Sequence, residues 1–131
     1  MITDIAHESI TALQLLPDSD VKVDMVNPDW SGQPIIYILT EPTKVEDMTQ
    51  TELVSAETIL KIICVAKDRR KTWDLARQAA LAVYEKFEEL EQTPQSGILC
   101  ITLIEHNVFQ IPERKEYQAF VSFCVLHKPI L

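Results

Sequence analysis

Glycine is scarce in this sequence, which contains only Gly32 and Gly97. Phosphate-binding loops and dinucleotide fingerprints need several closely spaced glycines, because the backbone must approach the phosphate closely. Two glycines this far apart exclude both kinds of nucleotide site. No serine stands in the G-x-S-x-G pattern of a hydrolase nucleophile elbow either.

Cysteines are also few, and they form no paired motif. Cys64, Cys100 and Cys124 each lie inside an apolar, strand-like run, and no C-x-x-C occurs. An odd number of cysteines in such positions predicts buried free thiols in a reducing compartment. The alternative is a nucleophile formed by Cys100 or Cys124 with a histidine, but apolar neighbours raise the pKa of a thiol and make it unreactive.

Histidines offer no metal-binding pattern. His7, His106 and His127 are far apart in sequence, and no H-x-x-x-H occurs. A structural zinc site needs ligands at short, regular spacings, so none is expected here. We therefore expect no catalytic residue, no metal site, no cofactor and no enzymatic activity.

Basic residues are outnumbered, with 12 Lys and Arg against 20 Asp and Glu and a net charge of −8. Such a surface repels polyanions, so sequence-specific binding of nucleic acid is not expected. The same charge also simply keeps many proteins soluble.

No apolar run in the sequence approaches the ~20 residues of a membrane span, so no membrane segment is expected. The chain does not begin with a basic region followed by an apolar block, so no secretory signal is expected either.

The most informative stretch that is present runs from Ala56 to Glu91. Residues 58–65 are β-branched and apolar, which is typical of a central strand. From about Lys71 the apolar residues recur at steps of three and four, which predicts one long amphipathic helix. Small alanines on its apolar face allow the helix to lie close to a sheet.

The other predicted elements surround this unit. They are a helix at 2–15 and strands at 21–25, 34–40, about 53–66, 98–104 and 117–126, with a loop at 27–34 and a connector at 107–113. Trp30, in the loop, either anchors a partner or closes one end of the core. Residues 43–51 form the tip of a long hairpin, and the first half of the strand at 53–66 either projects as an arm or belongs to a disordered loop.

The last strand predicts a two-faced sheet. Five alternating residues should meet the helices: Tyr117, Ala119, Val121, Phe123 and Val125. Phe120 and Leu126 lie on the other face with Ser122, and a face this apolar needs a cover from a helix or another subunit. The predicted fold is a single α+β domain over residues 1–131, with a mixed or antiparallel sheet of about five strands, two helices on one face and a long β-hairpin arm.

Two charged clusters allow more than one interpretation. Lys67, Arg69, Arg70 and Lys71 surround Asp68, and they either pair with an acidic patch on a neighbouring subunit or form a charged turn between strand and helix. The acidic run at 85–91 is typical of a solvated helix face.

The order of elements resembles the tail terminator proteins, or minor tail and tail-completion proteins, of long-tailed bacteriophages. The resemblance rests on the strand that starts with Pro34-Ile35-Ile36-Tyr37, the strand that runs into the Trp73–Glu91 helix, and the paired C-terminal strands. It covers nearly the whole chain, and no family motif transfers a functional residue. It implies a homo-oligomeric ring, commonly a hexamer, that caps the tail tube and forms the head-tail joining surface.

The resemblance also implies partners and a location. The partners would be other copies of the chain, the tail tube protein and the head-tail connector proteins, with neither membrane nor sequence-specific nucleic acid. The protein would assemble in the cytoplasm of a bacterial host and remain in the virion tail. The predicted subunit interface consists of Lys44, Val45, Met48, Leu53, Arg69, Arg70 and Phe120.

Two other functions remain open. One is a small α+β ligand-binding or regulatory domain without catalysis, although few polar residues converge at the predicted strand ends. The other is an enzyme on a ferredoxin-like scaffold, because a fold does not fix a function. The absence of a nucleophile, base or metal cluster argues against the enzyme.

Overall fold

The computed structural model describes residues 4–16, 22–24, 34–47, 54–111 and 116–128. Two helices and five strands follow one another in these ranges: α1 (Ile5–Gln14), β1 (Lys22–Asp24), β2 (Ile35–Asp47), β3 (Val54–Ala66), α2 (Arg69–Glu91), β4 (Ile98–Ile111) and β5 (Glu116–His127). A short 3-10 turn at Pro94–Ser96 joins α2 to β4. Trp30 and the predicted loop at 27–34, apart from Pro34, lie outside the described residues.

The strands form one sheet in the order β1-β2-β3-β5-β4. The four long strands pair antiparallel with one another, and the three-residue β1 pairs in parallel with the start of β2. Helices and strands are segregated in layers, which confirms the predicted α+β class. No helix in the described ranges is long and apolar enough to cross a membrane.

Both helices pack on one face of the sheet. The central register row of this face joins Ile36, Cys64 and Ala119 across β2, β3 and β5. All three residues are fully buried, and they belong to the same core as Leu13 of α1 and Val83 and Phe87 of α2. The predicted helix-facing side of β5 is confirmed at Ala119, Val121, Phe123 and Val125.

The start of α2 differs from the sequence prediction. The helix begins at Arg69, and the Asp68 side chain caps it by accepting a hydrogen bond from the Arg70 backbone N–H at 3.0 Å. An N-cap carboxylate satisfies a backbone donor that has no partner within the helix. The charged segment at 68–71, predicted as a turn, is therefore mostly the first turn of α2.

The predicted connector at 107–113 is wrong for residues 107–111, because β4 continues to Ile111, and residues 112 and 113 lie outside the described part of the chain. β5 pairs with the segment from Asn107 to Ile111, and this pairing ends with Ile111 opposite Glu116. A register shift between Leu103 and Glu105 interrupts the simple alternation of side chains. Because a bulge adds one residue to the strand, the alternating pattern changes phase there, and a single long strand is not recognised from the sequence.

The first half of β3 does not project as a two-stranded arm. Its pairing with β5 already begins at Ala56, opposite His127. Beyond that point the described part of the β2–β3 hairpin contains only the pairs of Glu46 with Ser55 and Asp47 with Val54. The hairpin is long, as predicted, but the sheet contains nearly all of its described length because β5, with 12 residues, is almost as long as β3, with 13.

The second face of the sheet carries a smaller apolar cluster. Ile35, Tyr37, Ile63 and Val65 are at most 8% exposed there, and Phe120 packs against them. This part of the face is thus buried within a single chain. Of the two predicted covers, a helix or another subunit, the second is therefore not needed at this end of the sheet.

Candidate interaction surfaces

The described residues do not assemble a recognisable reaction centre. Among them no group of three or more His, Cys, Asp or Glu side chains is placed to hold a metal ion. His127 is buried, and its Nδ1 lies 2.7 Å from the Lys128 carbonyl oxygen, which can only accept a hydrogen bond. Nδ1 therefore carries a proton, and in the neutral imidazole Nε2 accepts from the Thr58 hydroxyl at 2.8 Å. The bond to Thr58 ties the end of β5 to β3, whereas the bond to Lys128 joins His127 to the next residue of the chain.

The three cysteines have different environments. Cys64 is fully buried, and desolvation raises its pKa from 9.0 to about 12. Cys124 is half-buried, and its pKa is also raised, first by desolvation and then by the charges of Glu57 and Cys100. The prediction that all three thiols are buried is thus confirmed for Cys64, is only partly met by Cys124 and is wrong for Cys100, which is exposed. β4 is an edge strand, and Cys100 pairs with Leu126 on the face away from the helices.

The first turns of α2 line an open cavity of about 480 Å³, here called the basic cleft. Its lining residues are Asp68, Arg69, Arg70 and Trp73. The indole of Trp73 is stacked on the imidazole of His106 in β4, with ring centroids 4.6 Å apart and planes inclined by 18°. Trp73 remains 44% exposed, so the cleft combines an accessible aromatic surface with two guanidinium groups.

A second open cavity, of about 270 Å³, lies between α1 and the second half of α2, and we call it the acidic cleft. It is lined by Ala12, Leu15, Leu16, Ala82, Glu85, Lys86 and Glu89. Leu15 is 80% exposed, the most of any large apolar side chain in the described residues. The Lys86 Nζ lies 3.5 Å from a carboxylate oxygen of Glu8 in α1, and this ion pair offsets the positive charge of Lys86. Glu85 and Glu89 therefore make the cleft negatively charged.

The β4 edge of the sheet also exposes apolar side chains. Leu99, Leu103 and Ile104 are 41%, 50% and 53% exposed. β4 is terminal in the strand order, so within the described residues its outer backbone edge has no neighbouring strand. Long apolar edge strands favour pairing with another chain.

The structure separates the predicted interface residues. Arg69 and Arg70 are exposed and line the basic cleft, whereas Phe120 is half-buried against the cluster on the second face. Lys44 and Val45 lie on β2, paired with Glu57 and Ala56, and their side chains fall outside the description. Met48 and Leu53 lie outside the described residues. Among the predicted interface side chains that the structure describes, Arg69 and Arg70 lie together and Phe120 lies on a different surface.

Sequence reasoning missed Trp73 and Leu15 as surface residues. Trp73 precedes the buried Ala76 by three residues, so helical spacing places it at the edge of the apolar face and gives no clear signal of its exposure. Leu15 follows the last residue of α1, where an apolar stripe no longer needs to be buried. Glu91, assigned to a solvated run, accepts a hydrogen bond from the Ile101 backbone N–H at 2.9 Å and so links α2 to β4.

No protein-family model matches the chain, and no curated protein matches it. Solved structures do match. A chain of the virion of a native gene transfer agent particle aligns with 95% of this chain and 92% of its own length, at a TM-score of 0.54 and 15% identity. A virion chain shares this fold.

A second solved structure, a crystal structure from Akkermansia muciniphila, aligns less well. It covers 73% of this chain and 40% of its own length, at a TM-score of 0.33 and 12% identity. A similarity of that size supports no conclusion about the fold or the function of this chain.

Proposed function

We propose that this chain is a structural protein of a phage-like particle, and that it forms a homo-oligomeric ring that caps the tail tube and joins it to the head. The observation that carries the proposal is the fold shared with a chain of a gene transfer agent virion over nearly the full length of both chains. The order of elements that resembles the tail terminator proteins points to the same kind of structural role.

The surfaces described above are compatible with a protein that works by assembly. Two clefts and the β4 edge expose large apolar side chains, and such patches commonly mark sites of protein association. The net charge of −8 also suits a ring through which DNA passes, because an acidic lining does not hold a polyanion. In this proposal the ring contacts the tube protein on one side and connector proteins on the other.

The mass of the protein in solution tests the proposal. We expect light scattering on a size-exclusion column, over a series of concentrations, to show a species several times the 15.0 kDa of one chain, six times if the ring is a hexamer. Electron microscopy of that fraction should show rings with a central channel. A protein that remains a monomer at every concentration would contradict the proposal.

The hairpin supplies a second test of the ring. Val45→Asp and Met48→Asp are expected to weaken assembly without unfolding the subunit, if the end of the hairpin takes part in the interface. An unchanged oligomer in both variants, with unchanged circular dichroism, would remove the hairpin end from the interface and leave the ring itself in place.

The alternative is a small α+β ligand-binding or regulatory domain without catalysis. The basic cleft favours it to the extent that a cavity of about 480 Å³ is large enough for a small anionic molecule. This alternative predicts a monomer or dimer whose melting temperature rises with such a molecule, since a ligand that binds only the folded state stabilises it.

A further inference from the structure

We propose that the basic cleft of one copy docks onto the acidic cleft of a second copy, so that copies join head to tail. This inference rests on the proposed function, because it names the surfaces by which the subunits of the ring would join. Three features of the described residues support it: the charges of the clefts, their exposed apolar side chains and their positions around α2.

The charges of the two clefts are complementary. Arg69 and Arg70 are exposed in the basic cleft, and Asp68, which also lines it, accepts a hydrogen bond from the Arg70 backbone N–H, so two cations face one anion there. Glu85 and Glu89 are exposed in the acidic cleft. No ion pair joins any of these four side chains to another described residue, so each is available to a partner of opposite charge. Complementary charge steers association and fixes the register of an interface.

Each cleft also presents an apolar group beside its charges. The basic cleft holds the accessible part of Trp73, and the acidic cleft holds Leu15 and Leu16 above Ala82. Aromatic and arginine side chains dominate binding energy where they enter a desolvated pocket. Trp73 is held in place by its stack on His106, so it would lose little side-chain freedom on docking.

The clefts lie on opposite flanks of α2. Glu89 follows Trp73 by 16 positions, which corresponds to a rotation of roughly 160° and a rise of roughly 24 Å along a helix. On one flank Trp73 contacts β4, and on the other flank Glu85, Lys86 and Glu89 border α1. A molecule with complementary surfaces on opposite flanks joins its copies through two different patches. Such a head-to-tail contact produces a ring when the rotation closes and a filament when it does not.

Charge reversal on each side tests the pairing. The first variant combines Arg69→Glu with Arg70→Glu, and the second combines Glu85→Arg with Glu89→Arg. Each variant alone brings like charges together at every contact, so we expect self-association at least about tenfold weaker than in the wild type, measured by light scattering over a concentration series. An equimolar mixture restores opposite charges at both kinds of contact and should recover oligomers in which the two variants alternate.

A matched control separates a local effect from a change in net charge. Arg77→Glu with Lys128→Glu changes the net charge as the first variant does, at exposed positions that line neither cleft. This control should assemble like the wild type. Leu15→Ser tests the apolar part of the contact independently, and it should weaken assembly without lowering the melting temperature, because Leu15 is 80% exposed.

The outcomes distinguish this inference from the proposed function. If the wild type forms rings and both reversed variants form the same rings, the cleft pairing is wrong and the ring remains. If each variant loses assembly and their mixture does not recover it, the clefts contact something other than each other, and the pairing is again overturned. A wild-type chain that stays monomeric at every concentration contradicts both the pairing and the ring.

Discussion

At the scale of single residues, burial sets the chemistry of the cysteines. Cys64 lies at the centre of the sheet, in the row that joins β2, β3 and β5, and its pKa is raised to about 12. Cys100 is exposed on the edge strand β4. Only the thiolate reacts with alkylating reagents, so the two thiols should differ in reactivity.

Cysteine labelling checks this difference. In the folded protein at pH 8, we expect a maleimide to modify Cys100 first, Cys124 more slowly, and Cys64 only after a denaturant is added. Mass spectrometry of digested samples over time identifies the modified positions. Labelling of Cys64 in the native protein at the rate of Cys100 would contradict the burial described here.

The raised pKa of Cys64 also predicts a dependence of stability on pH. The folded state holds the thiol proton up to about pH 12, whereas the unfolded state releases it near pH 9.0. The contribution of the protonated Cys64 thiol to the free energy of unfolding is therefore complete below pH 9.0. It declines as the pH rises towards 12, by up to about 1.4 kcal/mol per pH unit. Urea unfolding of the wild type and of Cys64→Ala measures it, since the difference between the two proteins should shrink over this range. A constant difference would argue against the shift.

Phe87 and Leu81 on α2 provide a matched pair of core and surface positions. Phe87 is fully buried between the helix and the sheet, while Leu81 is 58% exposed. We expect Phe87→Ala to lower the free energy of unfolding by about 3–5 kcal/mol, because it removes buried apolar area and leaves a cavity. Leu81→Ala should change it by less than about 1 kcal/mol. Urea denaturation followed by circular dichroism measures both, and equal losses would mean that Leu81 is covered.

At the scale of elements, the connection from α2 to β4 depends on Gly97. This residue has φ of +78°, a conformation that costs L-residues energy, and it ends the 3-10 turn. A Cβ there would lie 3.7 Å from the Lys128 Cβ, which is ordinary contact, so space does not limit the position. The Gly97 carbonyl accepts a hydrogen bond from the Lys128 N–H at 2.8 Å, which ties this turn to the end of β5.

Gly97→Ala is therefore expected to destabilise the protein by about 1–2 kcal/mol through backbone strain alone. Gly97→Asn is the matched control, because asparagine tolerates positive φ better, and it should lose less. Thermal and urea unfolding of the three proteins give the comparison. A larger loss for Asn than for Ala would show that packing, rather than the backbone, limits this site.

The elements themselves were largely readable from the sequence. The alternating run of β5 and the three-and-four spacing of α2 each match a period that burial of one face imposes, so both were predicted to within a few residues. The second half of β4 was missed because a bulge at Leu103 breaks the period and because its side chains are mostly exposed. Asp68 was read as part of a charged turn because capping depends on backbone geometry that begins at the next residue.

At the scale of the whole molecule, the distribution of charge bears on nucleic acid. The net charge of −8 opposes binding of duplex DNA, and the basic residues near the start of α2 are too few to reverse this. We expect a fluorescent duplex to show no change of anisotropy with the wild-type protein at about 0.15 M salt.

The variant that combines Glu85→Arg with Glu89→Arg serves as a comparison in this experiment, since it tests whether local acidity excludes DNA. Its binding should rise only slightly, because the chain remains acidic. Salt-dependent binding by the wild type would contradict the expectation that the protein does not hold nucleic acid.

The sequence alone determined the α+β class, the long helix after a central strand and the absence of a nucleotide-binding glycine motif, because these depend on local periodicity and residue type. The tertiary structure decided which strands are neighbours, how far the hairpin stays within the sheet, and that Trp73 and Leu15 lie at the surface on opposite flanks of α2. The candidate site belongs to this second group. It brings together residues distant in sequence, Trp73 with His106 and Leu15 with Glu85 and Glu89, and only packing of the helices on the sheet places them side by side.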